Sequence, residues 1–332
     1  MIRKKTLAAA ALAVFLATAT AQAAPSSWAA QEVAEAISLG IAPQELQGSY
    51  QQDIGRQEFA KVAVHTISAM EGISMQDLMD KTAAGAVFLD TVDPCALCAS
   101  ALGVIQGRGE GIFDPFSPIT REEAAVMLRQ TLMAVGALEP QANANFSDLE
   151  QAHSWARTAV SDVAGQGIMV GTGDGRFEPL GTYTREQALA SFLRLLTAAC
   201  PNGEVRLSER EYGFSLPLPS SWKGCAVNVS TWESNDMNEF GPQIEIKHPL
   251  STKANPRQDI PVMAFTLDQW GRMENDEFHI GAAPINPKEL GRNSHYVFAL
   301  PARYNYAFLE GYEEVEEIVL SFSTFEPMLQ EE

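Results

Sequence analysis

Apolar and polar positions follow two different patterns along this chain, and the change falls near residue 200. Before it, apolar residues recur at helical spacing, as in the run from Ala188 to Leu196. After it, shorter stretches such as 212–219 alternate with a period of two, which is typical of strands. The pattern predicts an N-terminal all-α bundle and a C-terminal α+β domain with a mainly antiparallel sheet.

The helical part contains a segment that occurs three times. Residues 102–124 and 166–188 are identical at ten positions when offset by 64, and a more diverged copy covers 53–60. A period of this length indicates repeats that bury their apolar faces against each other. Each repeat is predicted to be a helix, a loop and a helix. The predicted boundaries are 26–79 for repeat 1, 84–140 for repeat 2, 144–199 for repeat 3 and 204–325 for the last domain.

The second helix of each repeat is predicted to begin at a capping motif. Thr120 and Thr184 are the expected N-caps, with Glu123 and Gln187 three residues later to complete a capping box. Repeat 1 has Gly55 in that place and therefore lacks the hydroxyl. The next residue is an arginine in all three copies: Arg56, Arg121 and Arg185.

An arginine at the first helical position is unfavourably placed, because a helix N-terminus already carries partial positive charge. Two explanations are open. In one, free backbone N–H groups, the helix dipole and the guanidinium converge on a carboxylate or phosphate. In the other, each arginine forms an ion pair with an acidic residue of a neighbouring repeat, such as Asp114 or Glu178.

Charge and the N-terminus narrow the classes of partner. Residues 1–23 form a predicted signal peptide, with three basic residues before an apolar run and a small-residue cleavage site at 21–23. Its removal lowers the net charge from −19 to −22, because three of the 23 Lys and Arg residues leave with it. Such acidity disfavours nucleic acid, and no other apolar run is long enough to cross a membrane. We expect a secreted protein with no membrane span and no obligate protein partner.

Two of the repeated segments resemble a known family. Ile119–Glu123 and Tyr183–Gln187 resemble the ITRAE motif of S-layer homology domains. The glycine turns at 107–115 and 171–179, and the FSD and SWA triplets at 146–148 and 154–156, resemble further motifs of that family. The resemblance covers about 26–199 in three copies. It implies a pseudo-three-fold bundle that binds a secondary cell-wall polysaccharide noncovalently, often one bearing pyruvate ketals, and it implies no cofactor.

The resemblance also assigns candidate glycan-binding residues. The motif arginines, the neighbouring threonines and the glycine-turn backbone would hold an anionic sugar, and a first-helix tryptophan would offer an apolar face. We expect Arg121 and Arg185 to line the better sites, because their own repeats keep both the threonine and the glycine turn. A core position is the more common role for such tryptophans. The candidates are Arg121, Arg185, Thr120, Thr184, Arg56, Gly109, Gly173, Trp155 and Trp28.

Cysteines and the last domain carry weaker signals. Cys200 and Cys225 flank the domain junction and are a candidate disulfide, while a Cys95–Cys98 bridge would be strained. A Cys₄ zinc site is disfavoured, because the chain has one CxxC pair and the other two cysteines are 25 residues apart.

Residues 204–325 lack the motifs of known hydrolases and nucleotide-binding enzymes, and their role is unknown. Ser294 and His295 are adjacent on a predicted strand, where their side chains would point to opposite faces. We therefore predict no catalytic residue and no metal ligand. The alternatives are a wall-attached enzyme with its activity in 204–325 and, less favoured at this length, a structural S-layer subunit.

Overall fold

The computed structural model describes residues 24–82, 88–140, 144–201, 203–235, 238–280, 285–304, 307–320 and the backbone of 326–327. The predicted signal peptide at 1–23 lies outside the described residues. The N-terminal part is helical and the C-terminal part is built on antiparallel strands, as the change in periodicity predicts.

The N-terminal helices pair within each repeat, the first helix being short and the second longer. A further helix, α3, follows the second helix of repeat 1 and has no counterpart in the predicted pattern. One continuous apolar core runs through all three repeats. The helices are α1 (Ala30–Ser38), α2 (Arg56–Glu71), α3 (Met75–Lys81), α4 (Pro94–Ala101), α5 (Arg121–Ala134), α6 (Arg157–Gly165) and α7 (Arg185–Ala199).

Helices α5 and α7 begin with the predicted capping boxes. The hydroxyls of Thr120 and Thr184 accept hydrogen bonds from the N–H groups of Glu123 and Gln187. The side chains of Glu123 and Gln187 accept in return from the threonine N–H groups, at 3.0 Å each. In α2 the Glu58 carboxylate accepts from the Gly55 N–H at 3.1 Å, so the return half of the motif persists without a hydroxyl.

The residues just before the three caps form a closed ring of backbone hydrogen bonds. Ile54 N–H donates to the Tyr183 carbonyl, Tyr183 N–H to the Ile119 carbonyl, and Ile119 N–H to the Ile54 carbonyl, at 2.8, 3.2 and 3.1 Å. The starts of the second helices therefore meet at one place, although they are about 65 residues apart along the chain.

The C-terminal part contains two antiparallel sheets. One has the strand order β1-β2-β8 and the other β3-β4-β5-β7-β6. Strand β5 is buried along almost its whole length and helix α8 follows it directly. The elements are β1 (Val205–Glu209), β2 (Phe214–Leu218), β3 (Ala226–Glu233), β4 (Phe240–Lys247), β5 (Ile260–Thr266), α8 (Leu267–Glu274), β6 (Lys288–Arg292), β7 (Tyr296–Leu300), α9 (Tyr312–Leu320) and β8 (Glu326–Pro327).

The hairpin of β1 and β2 docks on the C-terminal ends of the helical bundle. The buried Arg206 guanidinium donates to the carbonyls of Gly136 and Ala199, just beyond α5 and at the end of α7. Arg210 pairs with Glu71, the last residue of α2. Helix C-termini carry partial negative charge and unpaired carbonyls, so arginine suits this position. Polar contacts thus fix the junction between the two parts.

The predicted disulfide is wrong, since Cys200 and Cys225 are both free thiols, as are Cys95 and Cys98. Cys200 ends α7 and lines a junction cavity beside Glu35 of α1. Cys225 instead lies near Lys81, at the end of α3. Closeness to the junction in sequence therefore does not join the two thiols.

Candidate functional site

Each motif arginine reaches out of its own repeat into the loop of the next one. Arg56 Nε donates to the Phe113 carbonyl at 2.9 Å and its Nη2 to the Gln106 carbonyl at 3.1 Å. Arg121 makes the equivalent bonds in repeat 3, to the carbonyls of Phe177 at 2.6 Å and Val170 at 2.7 Å. The glycine turn that an arginine faces therefore belongs to its neighbour.

Arg185 of repeat 3 contacts repeat 1. Its contacts differ from those of Arg56 and Arg121, because repeat 1 has no glycine turn. Its Nη2 pairs with Glu58 Oε1 at 2.6 Å, and its Nη1 donates to the Gly48 carbonyl at 3.4 Å. The expectation that Arg185 lines a better site than Arg56 rested on each arginine using the glycine turn of its own repeat. That premise is wrong, since Arg56 faces a glycine turn and Arg185 does not.

The helix N-termini do not offer their first N–H groups to a ligand. The N–H groups of Arg121 and Glu122 donate to the carbonyls of Gly181 and Pro179, and the other two copies repeat the arrangement. These N–H groups are therefore not available to bind an anion. Of the groups in the anion-site hypothesis, the guanidinium remains as the donor.

Inter-repeat ion pairs also exist, although the acidic partners differ from those expected. Arg56 Nη1 lies 3.4 Å from Glu123 Oε1, and Arg185 pairs with Glu58, so the acids at the third helical position are the ones used. Asp114 instead pairs with Arg108 at 3.1 Å. Both explanations for the repeated arginine therefore hold in part.

Two of the arginines are clamped in place by aromatic rings. The guanidinium of Arg56 lies 5.0 Å from the Phe113 ring centre, and that of Arg121 lies 4.7 Å from the Phe177 ring centre. Only 6% of Arg56 and 5% of Arg121 is exposed. Burial lowers the pKa of both guanidinium groups from its usual value, but arginine stays protonated at neutral pH. The result is a fixed buried cation.

Each clamped arginine lines a groove between repeats. The Arg56 groove has a cavity of about 360 Å³ and the Arg121 groove one of about 290 Å³, near the lower end of small-ligand pockets. The first is lined by Arg56, Val104, Ile105, Gln106, Gly107, Arg108, Glu123, Val126, Met127, Gln130 and Trp155. The second is lined by Trp28, Arg121, Val170, Gly171, Thr172, Tyr183, Gln187, Ala190, Ser191 and Arg194.

The two grooves use the same positions of successive repeats. Arg56 corresponds to Arg121 and Gly107 to Gly171, each moved on by one repeat. The tryptophan comes from the repeat after that: Trp155 of repeat 3 lines the first groove and Trp28 of repeat 1 lines the second. Every groove is therefore assembled from three repeats, which no single repeat sequence shows.

Both tryptophans are half exposed, at 52% for Trp28 and 56% for Trp155, so the core interpretation is wrong. Buried glutamates hold the segments that carry them. Glu186 accepts from the N–H and hydroxyl of Ser26 at 2.9 and 2.7 Å. Glu122 likewise accepts from the His153 N–H at 2.9 Å, and the His153 ring stacks on Trp155. These glutamates position the tryptophans at the groove edges.

Around Arg185, charged side chains occupy the equivalent positions. The side chain of Gln57 bonds to Thr91 as that of Glu186 bonds to Ser26, which lies two residues before Trp28. Asp93 lies two residues after Thr91 and therefore occupies the position that corresponds to the tryptophan. Asp93 caps α4 and pairs with Lys61 at 3.1 Å. This third position thus has an ion pair where the other two have an aromatic face.

The remaining candidate residues have mainly structural contacts. The hydroxyls of Thr120 and Thr184 are used in capping. Gly109 and Gly173 have positive φ at the loop tips and do not line either cavity. Gly107 and Gly171 do line them. A Cβ on Gly171 would lie 2.5 Å from the Arg176 carbonyl oxygen, so the loop needs glycine there.

The loops are held from behind by two aspartates. Asp148 accepts from the N–H groups of Phe177 and Glu178 at 2.8 and 2.9 Å. Asp90 makes the same bonds in repeat 2, to Phe113 and Asp114. The sequence analysis identified the FSD motif of repeat 3 and missed its repeat 2 counterpart. The signal was the recurrence of an aromatic residue two places before the aspartate, at Phe88 and Phe146.

Ser294 and His295 correct one inference about the last domain. They lie in the turn between β6 and β7 and not on a strand, and Ser294 Oγ is 2.9 Å from His295 Nδ1. The opposite-faces argument therefore does not apply, but both residues are exposed. In the part of the chain that the structure describes, no cluster of three or more His, Cys, Asp or Glu side chains could hold a metal ion, and no helix is long and apolar enough to cross a membrane.

Comparison with known proteins finds matches in the helical part of the chain. The family model described as the S-layer homology domain matches residues 99–125 and 145–189. The chain is 34% identical to Cell surface glycoprotein 1 of Acetivibrio thermocellus over 31% of its own length and 4% of that protein. It is 35% identical to the Surface-layer 125 kDa protein of Lysinibacillus sphaericus over 32% of its length and 8% of that protein.

A third relative is the Cellulosome-anchoring protein of Acetivibrio thermocellus, 38% identical over 25% of this chain and 19% of that protein. The chain thus spans less than a fifth of the length of these relatives. The names of these relatives are those of cell-surface, surface-layer and anchoring proteins. The match to the S-layer homology domain therefore lies in repeats 2 and 3 of the helical part.

Proposed function

We propose that the helical part anchors the chain to the cell wall by binding polysaccharide in the Arg56 and Arg121 grooves. The observation that carries this proposal is that the two grooves are equivalent and that each combines a half-exposed tryptophan with a buried arginine. A half-exposed aromatic ring offers a flat apolar face to a sugar while its surroundings stay polar. The anchoring named for one relative supports the same activity.

We further propose that the polysaccharide is anionic, as a secondary wall polymer with pyruvate ketals would be. The support is electrostatic. A chain of net charge −19 repels polyanions at long range, so a local fixed cation is needed to bind one. A buried guanidinium held by backbone carbonyls provides two-pronged geometry for a carboxylate at little entropic cost.

The proposal also includes the arrangement of the three repeats and the role of the last domain. The ring of hydrogen bonds among Ile54, Ile119 and Tyr183 supports a pseudo-three-fold arrangement of the repeats. We propose that the domain at 204–325 is displayed at the surface and is not an enzyme. Its fixed junction through Arg206 and Arg210 means that wall binding would hold this domain at a defined orientation.

The test is binding of the mature protein to purified wall polysaccharide, measured for wild type, Trp28→Ala and Trp155→Ala. Phe116→Ala is the matched control, because Phe116 is an exposed aromatic residue outside both cavities. Loss of a stacking ring should weaken binding about thirtyfold, since an aromatic residue at the centre of a binding site is worth about 2 kcal/mol. Phe116→Ala should bind as wild type does. Unchanged binding by both tryptophan variants would refute the groove assignment.

A further inference from the structure

Among the lining positions at which the two grooves differ is the third residue of the second helix. This residue is Glu123 in the Arg56 groove and Gln187 in the Arg121 groove. Around Arg185 the corresponding residue is Glu58. In all three, a side-chain oxygen of this residue accepts a hydrogen bond from the N-cap N–H, so the helix start accepts either residue type. Helix capping therefore does not determine whether this residue is Glu or Gln.

In the Arg56 groove, carboxylates of the protein already form ion pairs with Arg56 and Arg108. Glu123 Oε1 lies 3.4 Å from Arg56 Nη1 and 3.0 Å from Arg108 Nη2. Arg108 also pairs with Asp114 at 3.1 Å. A ligand carboxylate entering this groove would meet Glu123 beside its cation. Like charges at such distances repel each other strongly when they are partly buried.

In the Arg121 groove, the equivalent cation has no such partner. Among the described residues, no carboxylate oxygen lies within 4.0 Å of the Arg121 guanidinium, and its Nη1 has no hydrogen-bond acceptor. Gln187 replaces the acid and Thr172 stands where Arg108 does. The other arginine of this groove, Arg194, is bound through two nitrogens to Glu32.

The acids nearest to Arg121 are engaged elsewhere. Asp148 and Glu178 act on its charge at longer range. Asp148 is held behind the loop by two backbone N–H groups, and Glu178 lies 4.0 Å from Arg176. A buried cation with two carbonyl bonds and no carboxylate is costly for the fold. An anion from a ligand would offset that cost at the groove surface.

Resting on the proposed polysaccharide binding, we propose that Gln187 makes the Arg121 groove the anion-selective one. The Arg56 groove, neutralised by Glu123, takes an uncharged part of the same polymer against Trp155. The ligand group at Arg121 is an oxyanion, and a carboxylate or a phosphate on the polymer would both fit a guanidinium. One side chain at a capping position thus divides two equivalent grooves between two kinds of sugar unit.

Reciprocal exchange tests this division. Gln187→Glu should form with Arg121 the ion pair that Glu123 forms with Arg56, and Glu123→Gln should remove the latter. Both changes preserve the capping box, so both variants should fold, and an unchanged circular dichroism spectrum with cooperative unfolding is the control. The melting temperature should rise for Gln187→Glu, which gains an ion pair, and fall for Glu123→Gln, which loses its pairs with Arg56 and Arg108. We expect Gln187→Glu to weaken binding of native wall polysaccharide about tenfold or more, and Glu123→Gln to bind it at least as tightly as wild type.

The source of the anion is identified by treating the polymer before binding. Mild acid removes ketal-linked pyruvate, and hydrofluoric acid cleaves phosphodiesters. Carbodiimide activation followed by borohydride reduction converts both uronic and ketal-linked carboxylates to alcohols, so an effect of reduction without an effect of mild acid indicates a uronic acid. The treatment that abolishes the difference between wild type and Gln187→Glu identifies the group at Arg121. A Gln187→Glu protein that binds native polymer as wild type does, while Trp28→Ala does not, would overturn the selectivity and leave the anchoring function standing. Failure of the wild type to bind any polymer would refute the anchoring function itself.

Discussion

The Arg121 guanidinium donates to the backbone carbonyl of Val170 at 2.7 Å, although the two residues belong to different repeats. The same side chain donates to Phe177 and forms the floor of a groove. One residue therefore fastens repeat 2 to repeat 3 and shapes the surface proposed to bind a ligand. Stability and binding are coupled at this position, which explains why an arginine occupies an electrostatically poor place at a helix start.

Replacing Arg121 by lysine should destabilise the protein. Lysine keeps the charge but cannot reach both carbonyls in the planar geometry of the guanidinium, and it lies less well over the Phe177 ring. We expect a loss of roughly 2–3 kcal/mol in the free energy of unfolding, because hydrogen bonds to charged groups contribute about 1.5–3 kcal/mol each. Urea unfolding measures this. Arg303→Lys, at an exposed position, is the control, and an equal effect of the two changes would contradict the clamp.

Glu186→Ala should release the segment that carries Trp28. The Glu186 carboxylate accepts three hydrogen bonds, from the Ser26 N–H, the Ser26 hydroxyl and the Gln51 amide. Without it, we expect faster proteolysis near the N-terminus and a Trp28 fluorescence closer to that of a fully solvated ring.

Glu122→Ala is the matched change, because it frees His153 and Trp155 in the same way at another place. Each variant should weaken polysaccharide binding mainly at its own groove. Unaltered proteolysis and fluorescence in Glu186→Ala would show that the carboxylate does not position Trp28.

Local features of the helical part could be predicted from the sequence, because they depend on neighbours a few residues apart. The capping boxes at Thr120 and Thr184 and the starts of α5 and α7 are of this kind. The partner of each arginine could not be, since periodicity does not tell which repeats dock together. Arg56 and Arg185 were ranked by their own glycine turns, whereas the ring at Ile54 joins each helix start to another repeat.

The sequence also could not predict whether the two tryptophans, Trp28 and Trp155, are buried. Trp28 and Trp155 precede amphipathic helices, and such a position suits a core residue or a surface residue equally. Their exposure results from contacts that Ser26 and His153 make with glutamates of distant repeats. In the last domain, alternation predicted β2, but β6 is mostly polar and was missed because its pairing with β7 is a tertiary contact.

The thiol of Cys200 should titrate far above the ordinary range. Burial raises its pKa from 9.0 to about 11. Alkylation by iodoacetamide, which requires the thiolate, should have its midpoint near pH 11 in the native protein and near pH 9 in urea. Because the folded-state pKa is raised, the neutral thiol contributes stability below pH 9, and this is lost as the pH rises through about 11. A native midpoint near pH 9 by peptide mapping would contradict this burial.

A double-mutant cycle on Arg210 and Glu71 should measure how firmly the two parts of the chain are joined. The Glu71 side chain is almost fully buried and Arg210 partly so. Removing one partner leaves the other uncompensated, so Arg210→Met or Glu71→Gln alone should cost about 3–5 kcal/mol. The double variant should lose less than the sum of the two, with a coupling of about 1–3 kcal/mol. The exposed pair of Arg292 and Glu289 should give a coupling below about 1 kcal/mol. Equal coupling energies for the two pairs would mean that the junction is no stronger than a surface contact, and that wall binding would not orient the domain at 204–325.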